Sequence, residues 1–278
     1  MLIDGRKIAD KLLEELRQTV LTRNLKLKLA AILIGQNTGS KKFLELKQKA
    51  CQKVGVDFKL HEFPENISNN QLRKELNKIS KVKTNSGVIL ELPLPSHLNT
   101  QYLLNAIPEE KDVDMLSEKA QGAFFTNRSE VLPPSVETIK NIFEELKINP
   151  KEKNVAVFGY GLLVGKPVTH WLIQQMATVT VINEFTKNPG EISKNSDIII
   201  SGVGRPNLIT ADMVKDKTIV IDFGFNESLH NNSTTISGDV EFESVSKKAS
   251  WITPVPGGVG PIVIASVLKN LVTLSNIL

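Results

Sequence analysis

With 278 residues, 41% of them hydrophobic and 23% charged, the chain has the composition of an ordinary globular protein and is long enough for two modest domains. Its 34 basic and 30 acidic residues leave a net charge of +4, spread along the chain, which excludes a nucleic-acid-binding stripe and allows at most a mildly positive cleft for an anionic small molecule. The single cysteine, Cys51, excludes an intramolecular disulfide, and no apolar run approaches membrane-spanning length, so we expect a cytoplasmic protein without a membrane partner.

The predicted elements of the first half alternate between helix and strand. In chain order they are helix 6–23, strand 29–34, helix 40–54 with Ser40 as its cap, strand 58–63, helix 69–79, strand 87–92 and helix 100–106. Residues 111–132 show no clear period and are predicted to be loop. Helices between strands indicate parallel βαβ units, and therefore an α/β fold.

The second half repeats this alternation. It contains a predicted helix 134–146, strands near 155–158, 178–183, 197–201, 218–222 and 251–252, and an apolar helix 261–274. We place a domain boundary near residue 145. Because ligands of open α/β sheets bind at the carboxyl ends of the strands, a cleft between the two blocks is the expected site.

The segment VAVFGYGLLVGKP at 155–167 predicts a strand, a tight turn and the start of a helix. Gly159, Gly161 and Gly165 space the turn. Glycines there let backbone N–H groups approach a pyrophosphate, whose charge is favoured at the helix N-terminus. The alternative is an ordinary turn that uses glycine only for its dihedral freedom. The four histidines have no metal-ligand spacing, so no metal is predicted.

A series of specific motifs runs in order along nearly the whole chain. They are Ser40–Phe43–Lys47 with Lys49-Ala50-Cys51, LPLPSH at 92–97, KDVD at 111–114, VGKP at 164–167, SDIIISGVGRPN at 196–207, VIDFG at 220–224, GDV at 238–240 and ITPVPGGVGP at 252–261. With these motifs the chain resembles the bifunctional methylenetetrahydrofolate dehydrogenase/methenyltetrahydrofolate cyclohydrolase family.

The resemblance implies two α/β domains that flank a folate cleft. Residues 1–144 would form the folate and catalytic domain, residues 145–260 a Rossmann-type dinucleotide-binding domain, and helix 261–278 would pack back on the first domain. It also implies oxidation of 5,10-methylenetetrahydrofolate with NADP or NAD, hydrolysis of the methenyl product to 10-formyltetrahydrofolate, and a homodimer. Tetrahydrofolate derivatives are then the expected partners.

By the same resemblance Lys47 acts in acid–base chemistry, and Asp114 holds the pterin ring. A lysine in a desolvated cleft can act near neutral pH, whereas the alternative is one more solvated helix lysine. Asp114 could instead cap a loop. Pro256, Gly257 and Gly258 would approach the substrate, although they could also form a plain tight turn.

The chain departs from the family pattern inside this site. Phe43 replaces a tyrosine, Glu91 a glutamine and Met115 a glycine. A carboxylate at position 91 would raise the pKa of Lys47 and make it a poorer base, or would itself be the base. We therefore count Glu91 with Lys47 and Asp114 as catalytic, expect hydrolysis to be weaker than oxidation, and keep a catalytically weakened folate- or nucleotide-binding paralogue as the alternative.

The cofactor side also departs from the family. Its candidate residues are Gly159, Tyr160, Gly161, Gly165, Lys166, Glu184, Gly204 and Arg205. The arginine and serine expected to hold a 2′-phosphate are missing, and Glu184 follows the second strand, where an acid accepts from a ribose 2′-OH. The sequence therefore favours NAD over NADP, unless Glu184 points to solvent and the site is degraded.

Overall fold

The computed structural model of the chain describes residues 1–230 and 233–275. These residues form two compact units. The three-stranded unit contains Asp10–Pro134 and the residues from Ile264 onward, and the five-stranded unit contains Met1–Ala9 and Ser135–Val263. The chain thus leaves the three-stranded unit after residue 134, earlier than the boundary expected at 144.

Helix α6 (Pro134–Leu146) explains this earlier division. The Ser135 hydroxyl donates to the Leu163 carbonyl at 2.6 Å, and the Phe143 ring lies 6.1 Å from the Trp171 ring, centroid to centroid. Both contacts are with residues of the five-stranded unit, so the helix packs with the elements that follow it.

The three-stranded unit is a parallel sheet with helices in its connections. Its elements are most of α1 (Gly5–Thr22), then β1 (Lys28–Ile34), α2 (Thr38–Val54), β2 (Asp57–Phe63), α3 (Asn69–Lys81), β3 (Gly87–Leu90), α4 (Thr100–Leu104), a short 3₁₀ turn (Glu109–Lys111) and α5 (Glu118–Phe125). The strand order is β2-β1-β3, with both pairs parallel. The central strand β1 is almost completely buried, as its apolar sequence KLAAILI predicts.

The five-stranded unit has a fully parallel main sheet in the order β10-β7-β6-β4-β5. After α6 its elements are β4 (Asn154–Phe158), α7 (Gly165–Gln174), β5 (Thr178–Ile182), α8 (Pro189–Ser193), β6 (Ile198–Ser201), a 3₁₀ turn (Ala211–Met213), β7 (Ile219–Asp222), β8 (Asn226–His230), β9 (Ser233–Ser237), α9 (Phe242–Val245), β10 (Trp251–Ile252) and the start of α10 (Val259–Ser275). The predicted α/β class with parallel sheets is confirmed.

Strand order places a ligand crevice within this sheet. The chain runs from β4 to β5 on one side and returns to β6 on the other, so the strand order reverses between β4 and β6. In open α/β sheets ligands bind outside the carboxyl ends of the strands at such a reversal. Those ends are Phe158 and Ser201, each followed by a glycine.

Two sequence predictions were wrong. The loop predicted over 111–132 contains helix α5, whose first turn is capped where the Ser117 hydroxyl accepts from the Ala120 amide. An eight-residue helix with a central glycine offers too few turns for a clear 3.6-residue period. The cap of α2 is Asn37, which accepts from the Ser40 amide, so Ser40 lies inside the helix.

The antiparallel hairpin β8–β9 was not predicted either, because both strands are short and polar. Residues 231 and 232, and the last three residues of the helix predicted over 261–278, lie outside the described residues. Within the described ranges, no helix combines the length and apolar character needed to cross a membrane.

Candidate active site

Lys47 lies on the buried face of α2. Phe43, Lys47 and Cys51 follow each other at four-residue spacing and so share that face. Lys47 is only 8% exposed, whereas Lys49 on the same helix is exposed. Burial excludes a merely solvated helix lysine at position 47. Phe43 is half-buried one turn before it.

The partner of Lys47 is Glu91. Its carboxylate Oε2 lies 2.6 Å from Lys47 Nζ, and both side chains are about nine-tenths buried. Glu91 follows β3 directly, and its amide donates to the Ile32 carbonyl at 2.9 Å, so the pairing of β3 with β1 continues through it. The pairing of β3 with β1 therefore positions the Glu91 carboxylate beside α2.

Asp114 completes a cluster of one ammonium and two carboxylates. Burial raises the pKa of Asp114 to about 6; Lys47 opposes this, while Glu91 and Asp112 add to it. Burial acts to lower the pKa of Lys47, but the Glu91 and Asp114 carboxylates overcome it and raise that pKa above its ordinary value. Lys47 is consequently an ammonium at neutral pH.

The loop that carries Asp114 is fixed on both sides. The Lys111 ammonium donates to the carbonyls of Ser80 and Val82 at 2.8 and 2.9 Å, at the end of α3. The Asp112 carboxylate accepts from the Ser117 amide at 2.7 Å. Asp112 is thus the loop-holding aspartate of the KDVD motif, and Asp114 is left half-buried.

Met115 occupies a left-handed backbone conformation, with φ of 60°. Residues with a side chain rarely adopt this conformation. The side chain is 3% exposed, and its sulfur accepts from the Ser129 hydroxyl at 3.7 Å. The chain therefore keeps a turn suited to glycine while it buries a long side chain there.

The predicted glycine turn lies at the carboxyl end of β4. Gly159 has φ of 90°, and its amide donates to the Ile182 carbonyl at 2.8 Å. A Cβ on Gly165 would lie 2.2 Å from the Gly159 carbonyl oxygen, so the start of α7 packs directly on the turn. No atom lies within 4 Å of a Cβ built on Gly161, which leaves that backbone open.

The side chains at this turn are exposed. Tyr160 is 52% exposed, and Lys166, in the first turn of α7, places its Nζ 5.9 Å from the Tyr160 ring centre. Gly204 and exposed Arg205 lie in the loop that follows β6, and Gly204 has φ of 71°. An aromatic ring and two basic groups thus belong to the same unit as the turn.

Glu184 is exposed just after β5, in a turn where the Asn183 carboxamide accepts from the Phe185 amide at 3.0 Å. This exposure is compatible with contact to a ribose and with contact to solvent alone.

Sequence reasoning assigned no role to Asp222 and Asp239, although both lie in quoted motifs and both are fully buried. For Asp222 the detectable signal was a charged residue at the end of an otherwise apolar strand, whereas Asp239 lies outside any strand and gave no such signal.

The loop after β10 packs on the N-terminal segment. Gly257 has φ of 102°, and the Gly258 amide donates to the Pro254 carbonyl at 2.8 Å. A Cβ on Gly5 would lie 1.7 Å from the Gly258 carbonyl oxygen. Close backbone approach therefore explains the glycines, and Pro256 stands exposed beside them.

Family models match both parts of the chain. Residues 3–114 match the catalytic domain of tetrahydrofolate dehydrogenase/cyclohydrolase, and residues 133–277 match the NAD(P)-binding domain of the same family. Lys47, Glu91 and Asp114 lie in the first match, and all cofactor candidates lie in the second.

Relatives match over nearly their full length. The chain is 42% identical to the bifunctional protein FolD of Nautilia profundicola over 274 residues, which covers 98% of this chain and 95% of the relative. The crystal structure of FolD from Campylobacter jejuni is 34% identical with a TM-score of 0.93, covering 99% of this chain and 98% of that one. FolD of Trypanosoma brucei, solved with NADP and an inhibitor, is 30% identical with a TM-score of 0.95, covering 99% and 97%.

Proposed function

Because the chain belongs to the tetrahydrofolate dehydrogenase/cyclohydrolase family, we propose that it oxidises 5,10-methylenetetrahydrofolate with a nicotinamide dinucleotide and hydrolyses the methenyl product to 10-formyltetrahydrofolate, in one-carbon metabolism. The observation that carries the proposal is the buried cluster of Lys47, Glu91 and Asp114. A cluster with perturbed ionisation is typical of an acid–base site.

Asp114 and Phe43 serve the folate. An ionised carboxylate accepts two parallel N–H donors, which is the pattern that a pterin ring presents. Asp114 is half-buried, and burial strengthens a contact between its carboxylate and the pterin. The half-buried Phe43 supplies an aromatic face for stacking, without the hydroxyl that the family pattern has at this position.

Lys47 and Glu91 divide the work of hydrolysis. Water adds to the methenyl carbon and gives one proton to Glu91, which passes it to N5 as the N5–C bond breaks. The carbinol hydroxyl releases its proton to solvent as the formyl C=O bond forms, and Lys47, held as an ammonium, stabilises the negative charge that develops on this oxygen. Hydride transfer depends mainly on alignment, so we expect oxidation to rely less on this pair than hydrolysis does.

The five-stranded unit binds the dinucleotide, whose nicotinamide ring accepts the hydride when bound. The open backbone at Gly161 and the first turn of α7 suit a pyrophosphate, and Lys166 and Arg205 add positive charge. Glu184 accepts from the ribose 2′-OH and repels a 2′-phosphate, so NAD binds more tightly than NADP. Support for this preference is the position of Glu184 after β5.

The experiment that tests the proposal follows the absorbance of reduced nicotinamide and of methenyltetrahydrofolate in turn. Wild-type protein with methylenetetrahydrofolate and NAD is expected to produce both, with hydrolysis the slower step. Glu91→Gln introduces the residue of the family pattern. It is expected to lower the rate of hydrolysis more than the rate of oxidation, because it removes the proposed proton acceptor. An inert wild type that the double variant Phe43→Tyr, Glu91→Gln makes active would support the weakened paralogue instead.

A homodimer and a cytoplasmic setting complete the proposal. The first rests on the family resemblance, and the second on the single cysteine, Cys51, which is buried in α2. Light scattering of the purified protein is expected to give twice the mass of 30.7 kDa.

A further inference from the structure

Two buried aspartates in the five-stranded unit have no role in the proposed chemistry. Asp222 ends β7 and is 2% exposed, and Asp239 follows the hairpin and is fully buried. A buried carboxylate is costly unless hydrogen-bond donors satisfy it. The hydrogen-bond donors to each aspartate therefore show which segment of the chain that aspartate fixes.

Asp239 holds the loop that follows β6. Its Oδ2 accepts from the Ser201 hydroxyl and from the Val203 amide, both at 2.7 Å, and its Oδ1 accepts from the Arg205 amide at 2.9 Å. The Asn226 carboxamide adds a longer contact of 3.4 Å. One carboxylate thus binds every second residue of the segment 201–205, which we call the β6 loop.

Asp222 in turn holds the segment that carries Asp239. Its Oδ1 accepts from the amides of Gly224 and Asp239 at 2.7 and 3.2 Å, and its Oδ2 accepts from the Val240 amide at 3.0 Å. A Cβ on Gly238 would lie 2.0 Å from Asp222 Oδ2, and one on Gly224 would lie 2.4 Å from Asp239 Oδ1. Each aspartate therefore requires the glycine beside the other.

This arrangement fixes the β6 loop next to the glycine turn. The amide of Gly202 donates to the Phe158 carbonyl at 3.1 Å, and a Cβ on Gly159 would lie 3.3 Å from a Val203 methyl group. Because the amides on either side of Gly204 both point at Asp239, Gly204 forms the outer corner of the loop. No atom lies within 4 Å of a Cβ built there.

We propose that Asp239 is a positioning residue for dinucleotide binding: it presents the outer corner of the β6 loop at the reversal between β4 and β6, and Asp222 keeps it in place. The inference rests on the proposed function, because it assumes that this crevice binds the dinucleotide. It differs from the role of Glu184, since the loop would serve the part shared by NAD and NADP. Loss of Asp239 therefore weakens both dinucleotides by the same factor.

Asp239→Asn tests this proposal, because the asparagine has almost the same shape as the aspartate. One carboxylate oxygen becomes an NH₂ group, which cannot accept from the hydroxyl and amide donors of the β6 loop. We expect the Kd values of NAD and NADP, measured by calorimetry, to rise at least about tenfold each. Hydrolysis of methenyltetrahydrofolate needs no dinucleotide and is expected to stay within about twofold. Ser201→Ala removes one of the three closest donors to Asp239 and is expected to give a smaller rise of about threefold. Asp216→Asn, exposed in the same unit, is the matched control and should change nothing.

Unchanged dinucleotide binding in Asp239→Asn and Ser201→Ala, with hydrolysis intact, would overturn the inference and leave the proposed function standing. A parallel fall of binding and hydrolysis would assign Asp239 a purely structural role and overturn it as well. Should Asp239→Asn not fold, Ser201→Ala alone decides by whether its Kd rises. Wild-type protein that binds neither NAD nor NADP would overturn the proposed function together with the inference.

Discussion

The two candidate regions are built in opposite ways. In the three-stranded unit, the proposed reactive groups are side chains: an ammonium and a carboxylate 2.6 Å apart, both withdrawn from solvent. In the five-stranded unit, the binding surface is mainly backbone, shaped by Gly159, Gly161 and Gly204, and its buried charges serve to hold that backbone. Chemistry and binding should therefore respond to different substitutions.

The largest effect is expected from Lys47→Met. Hydrolysis should fall by about 10²- to 10⁴-fold, because the developing charge loses its ammonium and Glu91 its partner. The free energy of unfolding should fall by about 3 kcal/mol, since a carboxylate is left buried and unpaired. The Kd of NAD should not change, because the glycine turn lies in the other unit.

Lys49→Met is the matched control, as Lys49 is exposed on the same helix. The double variant Lys47→Met, Glu91→Met should recover most of the lost stability but none of the hydrolysis, since it removes both buried charges. If Lys47→Met hydrolyses the methenyl substrate within a few-fold of the wild-type rate, the cluster is structural and the separation of roles fails.

A smaller effect is expected from acid. The pKa of Asp114 is raised to about 6, so this carboxyl is ionised at pH 7 and neutral at pH 5. If the ionised form binds the pterin as proposed, the Kd of tetrahydrofolate alone should rise about tenfold as the pH falls from 7 to 5. Lys47 stays an ammonium throughout this range because its pKa is raised.

Asp114→Asn should bind tetrahydrofolate weakly at every pH and show no inflection near 6. The raised pKa also has a consequence for stability. The folded chain holds the proton more tightly than the unfolded chain does, so the free energy of unfolding falls as the pH rises from about 4 to about 6, and the variant should lose this slope. An inflection that persists in Asp114→Asn would assign the titration to another group.

The sequence was sufficient where the signal is local. Local sequence decides β1, which is apolar after its first residue, and the step from Phe158 into Gly159, and both were predicted. The pairing of Lys47 with Glu91 joins residues 44 positions apart, and it was predictable only through the family resemblance.

Contacts that depend on folded geometry were not predictable. Asp222 and Asp239 are 17 positions apart, and their meaning comes from amides that only the folded loops bring to them. The division at residue 134 likewise depends on how α6 packs on Trp171, which its amphipathic pattern does not specify. The amphipathic pattern of α6 indicates that one face of the helix is apolar, but it does not indicate which element packs against that face.

Glu184→Ser sharpens the comparison on the binding side. Removing the carboxylate removes repulsion of a 2′-phosphate and supplies a hydroxyl donor, so the KM for NADP should fall about tenfold. The KM for NAD should rise a few-fold, because its 2′-OH loses an acceptor. Glu191→Ser, exposed in the same unit, is the control. If the ratio of the KM for NAD to the KM for NADP is the same in Glu184→Ser and the wild type, Glu184 contacts solvent and not the ribose.

The smallest expected effect is a difference in the free energy of unfolding between two variants of Met115, the residue in the left-handed turn. Met115→Ala and Met115→Gly both lose the buried side chain, at a cost of about 2–5 kcal/mol. Only the glycine variant relieves the left-handed backbone, worth about 1–2 kcal/mol, and part of this is offset by the greater freedom of its unfolded chain. Denaturant unfolding should find Met115→Gly the more stable of the two by about 0.5–1 kcal/mol.

Met213 provides the internal reference for this difference. Met213 ends a 3₁₀ turn in the five-stranded unit, and its φ is not positive. The Met213→Gly variant should therefore be less stable than Met213→Ala. Opposite signs at the two methionines would locate backbone strain in the turn that carries Asp114. The same sign at both would mean that Met115 fits its conformation without cost, and that its replacement of a glycine altered only the side chain beside the folate-binding carboxylate.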